Sequence, residues 1–171
     1  MEIVRVDGLE VDQDLAFQRR SWVVQRVGWG LMALVVLAAV AGLLGSGPLS
    51  NARAEVPGLM TLEYHRFARL DTGETLRLSL RPAATAGDTV RLSLTQAFLG
   101  AVRIEAVQPP PARVEVGDGR LVYVFPVAEP RVPMVVTVAY QPREVGAAHG
   151  VVGLESTPEP RHVAFRQLVY P

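Results

Sequence analysis

Thr75-Leu-Arg-Leu-Ser-Leu-Arg81 alternates without a break: Leu76, Leu78 and Leu80 fall on one side, Thr75, Arg77, Ser79 and Arg81 on the other. Successive side chains of an extended chain point to opposite faces, so this pattern sets one face against a core and the other in water. Working outward, Asp71-Thr72-Gly73 makes a turn before it, and Met60, Leu62 and Tyr64 share one face of an earlier extended run. Pro82 ends the strand, residues 83–86 show no alternation, and Gly87-Asp88 closes the loop. Val90, Leu92 and Leu94 then alternate with Arg91, Ser93 and Thr95. Val102, Ile104 and Ala106 continue the theme as far as Pro109-Pro110-Pro111. Val114 and Val116 lead into Gly117-Asp118-Gly119, where Asp-Gly marks the tip of a hairpin. Leu121 to Phe125 is the return strand, followed by Met134, Val136, Val138 and Tyr140, a glycine-rich span from Gly146 to Gly153, and a last strand from His162 to Tyr170. Roughly seven to nine short strands with turn signals about ten residues apart predict an antiparallel, immunoglobulin-like sandwich. The Cys and Trp markers of true immunoglobulin domains are missing from it, and no stretch has the helical spacing that a parallel crossover needs.

Upstream, Val27-Gly-Trp-Gly-Leu-Met-Ala-Leu-Val-Val-Leu-Ala-Ala-Val-Ala-Gly-Leu-Leu-Gly45 carries no charge at all. About 19 helical residues reach ~28 Å, close to the hydrocarbon thickness of a bilayer. Arg19, Arg20 and Arg26 lie just before this stretch, whereas Arg53, followed by Glu55, is the one basic residue close after it. Flanking charge of that sense predicts a cytoplasmic N-terminus and an exported C-terminal domain in a bacterial inner membrane. Trp22 and Trp29 fall at the inner interface, with Arg26 placed to snorkel to the headgroups. Asp12 is placed to cap the helix, and Gly45, Gly47 and Pro48 to end it. Arg19-Arg20-Ser21-Trp22-Val23-Val24 has the outline of a twin-arginine export signal, and Ala52-Arg53-Ala54 that of a small-x-small cleavage site. The apolar run is longer than a signal core and the leader is acidic, so an uncleaved signal-anchor is expected. Ala38 with Gly42, and Ala41 with Gly45, form small-xxx-small pairs that would let a second helix, including that of another copy, come close. No ionisable side chain interrupts the span, which argues for an anchor or docking surface over a transport path. The expected organisation is a cytoplasmic tail (1–12), a juxtamembrane and transmembrane helix (13–47), a linker (48–57) and a periplasmic β-sandwich (58–171).

The bulk composition narrows the chemistry. The chain has 171 residues, zero formal net charge and no Cys, which rules out disulfides and thiolate metal sites. Nothing is basic enough to suggest nucleic acid. Every basic residue other than three His is Arg, as a GC-rich genome would favour. Glu63 and His65 share a strand face and could form half of a metal site, with His149 and His162 joining only through the fold. Ser79 and Ser93 sit in outward alternation without a Gly-x-Ser-x-Gly elbow. Glu105, Glu115 and Glu155 read as solvated residues, not as a glycosidase pair. Tyr64, Phe98, Tyr123, Phe125, Tyr140 and Phe165 read as core. Gln96-Ala97-Phe98-Leu99-Gly100 falls between strands, where Phe98 and Leu99 are either tucked into the sandwich end or offered to a partner as a loop. No catalytic residue, cofactor or metal is expected.

The segment Phe17-Gln18-Arg19-Arg20-Ser21-Trp22 through Arg26-Val27-Gly28-Trp29, with the apolar helix and Gly47-Pro48-Leu49-Ser50, resembles a group of uncharacterised bacterial single-pass inner-membrane proteins. The resemblance covers residues 14–50, with an echo in Val169-Tyr170-Pro171. Such proteins look like companions of larger, YetF-like membrane proteins, which implies a partner-binding role and supplies no catalytic residues. The sequence therefore predicts a non-enzymatic accessory protein that presents a β domain to an envelope partner. The alternatives are a small-ligand or carbohydrate sensor and, with the least support, an envelope hydrolase.

Overall fold

A computed structural model describes residues 15–42, 47–155 and 159–171, so the acidic leader, Asp12 and Gly45 lie outside the described residues. The chain divides between Val40 and Ala41 into two compact units. The first described element, α1 (Leu15–Val40), has 26 residues, about 39 Å of helix. Its span from Gln18 to Val40 is long and apolar enough to cross a membrane by length and composition. Every side chain from Gln18 to Leu37 is exposed. The helix was expected to reach Gly45 but stops at Val40. Gly42 takes φ +92°, a left-handed conformation that ends an α-helix, and a Cβ there would lie 2.6 Å from the Gly47 Cα.

The second unit runs β1 (Asn51–Val56), β2 (Met60–His65), β3 (Phe67–Arg69), β4 (Glu74–Leu80), β5 (Thr89–Thr95), α2 (Gln96–Ala101), β6 (Val102–Gln108), β7 (Arg113–Gly117), β8 (Arg120–Pro126), β9 (Met134–Pro142), β10 (Gly146–Leu154) and β11 (Arg161–Tyr170). One sheet has the order β1-β2-β4-β9-β6 and the other β3-β11-β10-β5-β8-β7. All pairings are antiparallel except β3 with β11. The all-β, two-sheet class read from the alternation is therefore what the chain adopts. Three of its strands were not legible. Asn51–Val56, expected as linker, is β1, because Ala52 and Val56 are buried and its backbone pairs along the whole of β2. The three residues of β3 are too few to show a period, and the glycines of β10 conceal its alternation. The Asp-Gly hairpin forms as read: Asp118 and Gly119 both have positive φ between the paired Gly117 and Arg120, the two-residue turn that matches strand twist.

The core lies between the sheets. Leu62, Leu76, Leu78, Leu80, Val136 and Val138 of one sheet meet Val90, Leu92, Leu94, Phe125, Val152 and Leu154 of the other, all buried. Phe98 closes the core at the end where Ser50 enters. Its ring centroid is 5.0 Å from Phe165 and 5.3 Å from Tyr140, edge-on to both. Ser50 is itself buried, with Oγ donating to the Phe67 carbonyl and its own carbonyl accepting from the Arg66 amide.

Gly150 stands opposite Phe165 in the β10–β11 pair, and the aromatic ring fills the place of its missing side chain. A Cβ on Gly150 would fall 2.3 Å from Phe165 Cζ. Gly150→Ala should therefore lower stability by about 1–3 kcal/mol, the range for overpacking, measured by denaturant titration. Gly87→Ala, with open space at its Cβ, is the matched control.

Candidate functional site

Three features of the β domain can meet another molecule: its strand edges, its outward polar clusters and an open groove. Of the four edge strands, β1 exposes Asn51, Arg53 and Glu55, β3 is three residues long, and β6 has a register shift between Ile104 and Ala106. Charge, shortness and a bulge all discourage pairing with a foreign strand. The fourth edge, β7, differs. Val114 and Val116 share the inward face with their partners Tyr123 and Leu121, yet they are 47% and 81% exposed. On its outward face Glu115 is gripped by Arg91, with Nη2–Oε2 2.5 Å and Nη1–Oε1 3.2 Å, and by Arg113 Nε at 2.8 Å. The arginine hydrogen bonds, first from Arg91 and then from Arg113, hold the Glu115 carboxyl below the usual carboxylate range. Glu115 is thus no simple solvated residue. It clamps β7 in place while the two valines overhang the core.

The sequence candidates for chemistry are engaged elsewhere. Glu63 and His65 do share a face, but Glu63 pairs with Arg53 across the strands at 2.5 Å. His65 Nδ1 lies 2.9 Å from Glu74 Oε2, and Glu74 is buried. Among the described residues no group of three or more His, Asp or Glu could hold a metal ion. Around the outer part of this pair runs an open groove of about 630 Å³, lined by Asn51, Arg53, Glu63, His65, Thr75 and Arg77.

A second cluster on the outward face of β5 and β11 contains Ser93, Glu155 and His162, the composition of a hydrolase triad. Its wiring is different. Ser93 Oγ is buried and donates to Glu155 Oε1 at 2.7 Å, Arg120 Nη1 donates to the same oxygen at 3.3 Å, and His162 Nε2 faces Arg120 at 3.3 Å. Serine activation needs the hydroxyl to donate to the imidazole, not to the carboxylate. Glu155, expected in solvent, is drawn in because Gly153 beneath it leaves a seat with no Cβ. His149 is exposed on β10, apart from this cluster.

Phe98 and Leu99 are not a partner loop. The stretch 96–101 winds into α2, which turns Phe98 fully into the core, and Leu99 packs against that core. The missed signal was the helical turn itself, too short for periodicity to show. In α1, the Arg26 guanidinium lies 3.7 Å over the Trp22 ring, and Arg19, Arg20 and Trp29 are exposed on the same helix. Ala38 is in the last turn of α1, whereas Ala41 and Gly42 lie past its end, off the helical lattice on which their spacing was read.

No protein-family model matches the chain, and no curated protein matches it. Among solved structures it is similar to a cohesin module from a family 33 glycoside hydrolase of Clostridium perfringens ATCC13124 (10% identity, TM-score 0.46, covering 65% of this chain and 95% of that one). It is also similar to the soluble domain of PmoD from Methylocystis sp. ATCC 49242 (12%, 0.41, 70% and 98%). A 35 kDa C-terminal fragment of the major pilin GBS80 of Streptococcus agalactiae gives 8% identity and 0.39, over 61% of this chain and 52% of that one. At these scores no partner or activity carries over.

Inside the domain, Tyr140 Oη donates to Gln167 Oε1 at 2.9 Å, and Gln167 Nε2 donates to the His65 carbonyl at 3.0 Å, joining β9, β11 and β2. Burial, reinforced by the Glu74 charge, pushes the Tyr140 phenol well above its usual range. Tyr140→Phe should cost about 1–3 kcal/mol by stranding Gln167, and Tyr140→Phe with Gln167→Met should recover much of it, as a double-mutant cycle of melts would show.

Arg91→Gln provides a pH test. A carboxylate whose folded pKa is depressed adds stability above its unfolded value of about 4.3, and that stability is lost as pH falls through the lower folded value. The stability gap between native chain and variant should therefore be present at neutral pH and shrink on acidification below that point, in urea melts across the range.

Proposed function

We propose that this chain is a membrane-anchored, non-enzymatic interaction protein of the bacterial envelope. In this reading α1 stays in the inner membrane with the N-terminus in the cytoplasm, and the exported β domain, immunoglobulin-like in the broad sense, binds an envelope protein. The observation that carries the reading is the β7 edge, a strand clamped on one face and uncovered on the other. An extended segment of a partner can add beside β7, taking main-chain hydrogen bonds from the free edge and side-chain contacts from Val114 and Val116. Support for anchoring comes from α1, whose apolar side chains are exposed from Trp22 to Leu37, and from Arg26 stacked on Trp22 as interfacial pairs are. Support for a role without catalysis comes from the Ser93 hydroxyl, which is committed to Glu155.

The test is affinity capture from a mild detergent extract with native chain and with Val114→Lys/Val116→Lys. A stoichiometric envelope protein should co-purify with the native chain and fall at least about tenfold in the variant, whose melt should be unchanged to within ~0.5 kcal/mol because both side chains are exposed. Full retention of the partner by the variant would remove the β7 assignment. A mature chain that begins near Glu55 and leaves the membrane fraction would remove the anchor, and a melt shifted by one envelope sugar would favour the sensor reading.

A further inference from the structure

β7 is uncovered because the two sheets differ in width. Val107 of β6 and Tyr123 of β8 line one interior cavity, so the edge strand of the narrower sheet lies over β8 and no strand stands across from β7. Residues 109–112 cross from β6 to β7 and close one end of the resulting gap, with the Ala112 amide bonded to the Val124 carbonyl. Ile104, Val107 and Leu121, all partly buried against the core, form its walls, and Val114 and Val116 its rim. The two-residue turn pairs Gly117 with Arg120. By the alternation of an antiparallel ladder, Val116 and Val114 therefore turn their own N–H and C=O groups to the free edge.

One polar atom interrupts this apolar lining. Tyr123 is 6% exposed, and its phenol has no hydrogen-bond partner among the described residues. No side-chain oxygen among them is both sealed from solvent and unbonded, so Tyr123 Oη still reaches water. Leu92 beside it and Phe125 beyond it are buried, which leaves the opening on the side of β7 and Leu121. Tyr140, in the same core, gives its phenol proton to the Gln167 amide instead. A wholly aliphatic strand laid over the gap would strip Tyr123 Oη of water and return nothing, the costly way to bury a polar group. Neighbouring strands lie about 4.8 Å apart, so a strand added to β7 runs about 10 Å from β8. Serine or threonine is too short to reach a phenol from there, whereas the amide of an extended glutamine can meet it.

The outward face adds a charge preference. Arg113 gives Nε to Glu115, and neither of its Nη nitrogens has a partner among the described residues. Glu115 is already held by Arg91 and Arg113 together, and Asp118, the other carboxylate of the hairpin, lies at its tip.

We infer that the β7 edge selects an extended segment whose inward side chains are aliphatic except for one glutamine, which hydrogen-bonds Tyr123 Oη, and whose outward residue beside Arg113 is acidic. The inference rests on the β7 reading above and names the kind of strand that this edge takes.

Fluorescein-labelled peptides alternating Val and Glu, with one central Gln in the Val series, test it against the full-length chain in mild detergent by anisotropy. The Gln peptide should bind about tenfold more tightly than its Gln-to-Met counterpart, and Tyr123→Phe should abolish that preference. The Tyr123→Phe melt should match that of the native chain, because the phenol it removes has no partner. Replacing Glu by Lys in the peptide should weaken binding about threefold, and Arg113→Gln should erase the difference. Equal affinity for the Gln and Met peptides, or a Gln preference that survives Tyr123→Phe, overturns the inference; if binding is still lost in Val114→Lys/Val116→Lys, the edge reading stands. Peptide binding that is indifferent to Val114→Lys/Val116→Lys, or no binding by any peptide, overturns both readings together.

Discussion

The β domain depends on one junction between its sheets, where Phe98, Tyr140 and Phe165 meet edge to face. Tyr140 comes from β9, Phe165 from β11, and α2 delivers Phe98 between them. The rings supply apolar burial, but the phenol brings a polar atom into the same dry space. Gln167 accepts its proton and passes an amide donor on to the His65 carbonyl. A one-residue slip of β11 would turn Gln167 outward and leave that phenol unpaired, so register between the sheets is set by a polar group inside an apolar core. Among the described residues every buried side-chain nitrogen or oxygen is satisfied.

The surface follows a similar division of labour. Edge strands invite unwanted pairing, and three of the four are blunted by charge, by a bulge or by brevity. At β7 the outward face is tied down by a three-member arginine and glutamate clamp, which leaves the inward valines uncovered. On the face around Gly153 polar groups converge: Ser93, Arg120 and His162 are gathered on a single carboxylate.

Both ends of the domain expose aliphatic side chains. Leu49, Val145 and Leu168 are about half exposed at the end where Ser50 enters, and Val132 is 45% exposed at the far end. α1, with Arg26 stacked on Trp22, ends when Gly42 adopts a left-handed conformation against Gly47.

Local chain physics determined much of this protein. The period of two in Thr75–Arg81 and Thr89–Thr95, the Asp-Gly tip and the charge-free run from Val27 are properties of neighbouring residues, so an all-β domain behind an apolar helix could be read directly. So could the core aromatics that lie on strands, Tyr123, Phe125, Tyr140 and Phe165, because alternation assigns each a face. What tertiary structure decided is where neighbours in space, not in sequence, set the outcome. Asn51–Val56 became a strand because β2 was there to pair with it, and Phe98 turned inward because the sheet ends left a hole of its size. Gly42 ended α1 sooner than composition suggested because the backbone at Gly47 packs against it. The open β7 edge and the Arg91–Glu115 clamp had no signal in the string: exposure and charge partnership are differences between a residue and its surroundings, and only the folded chain supplies the surroundings.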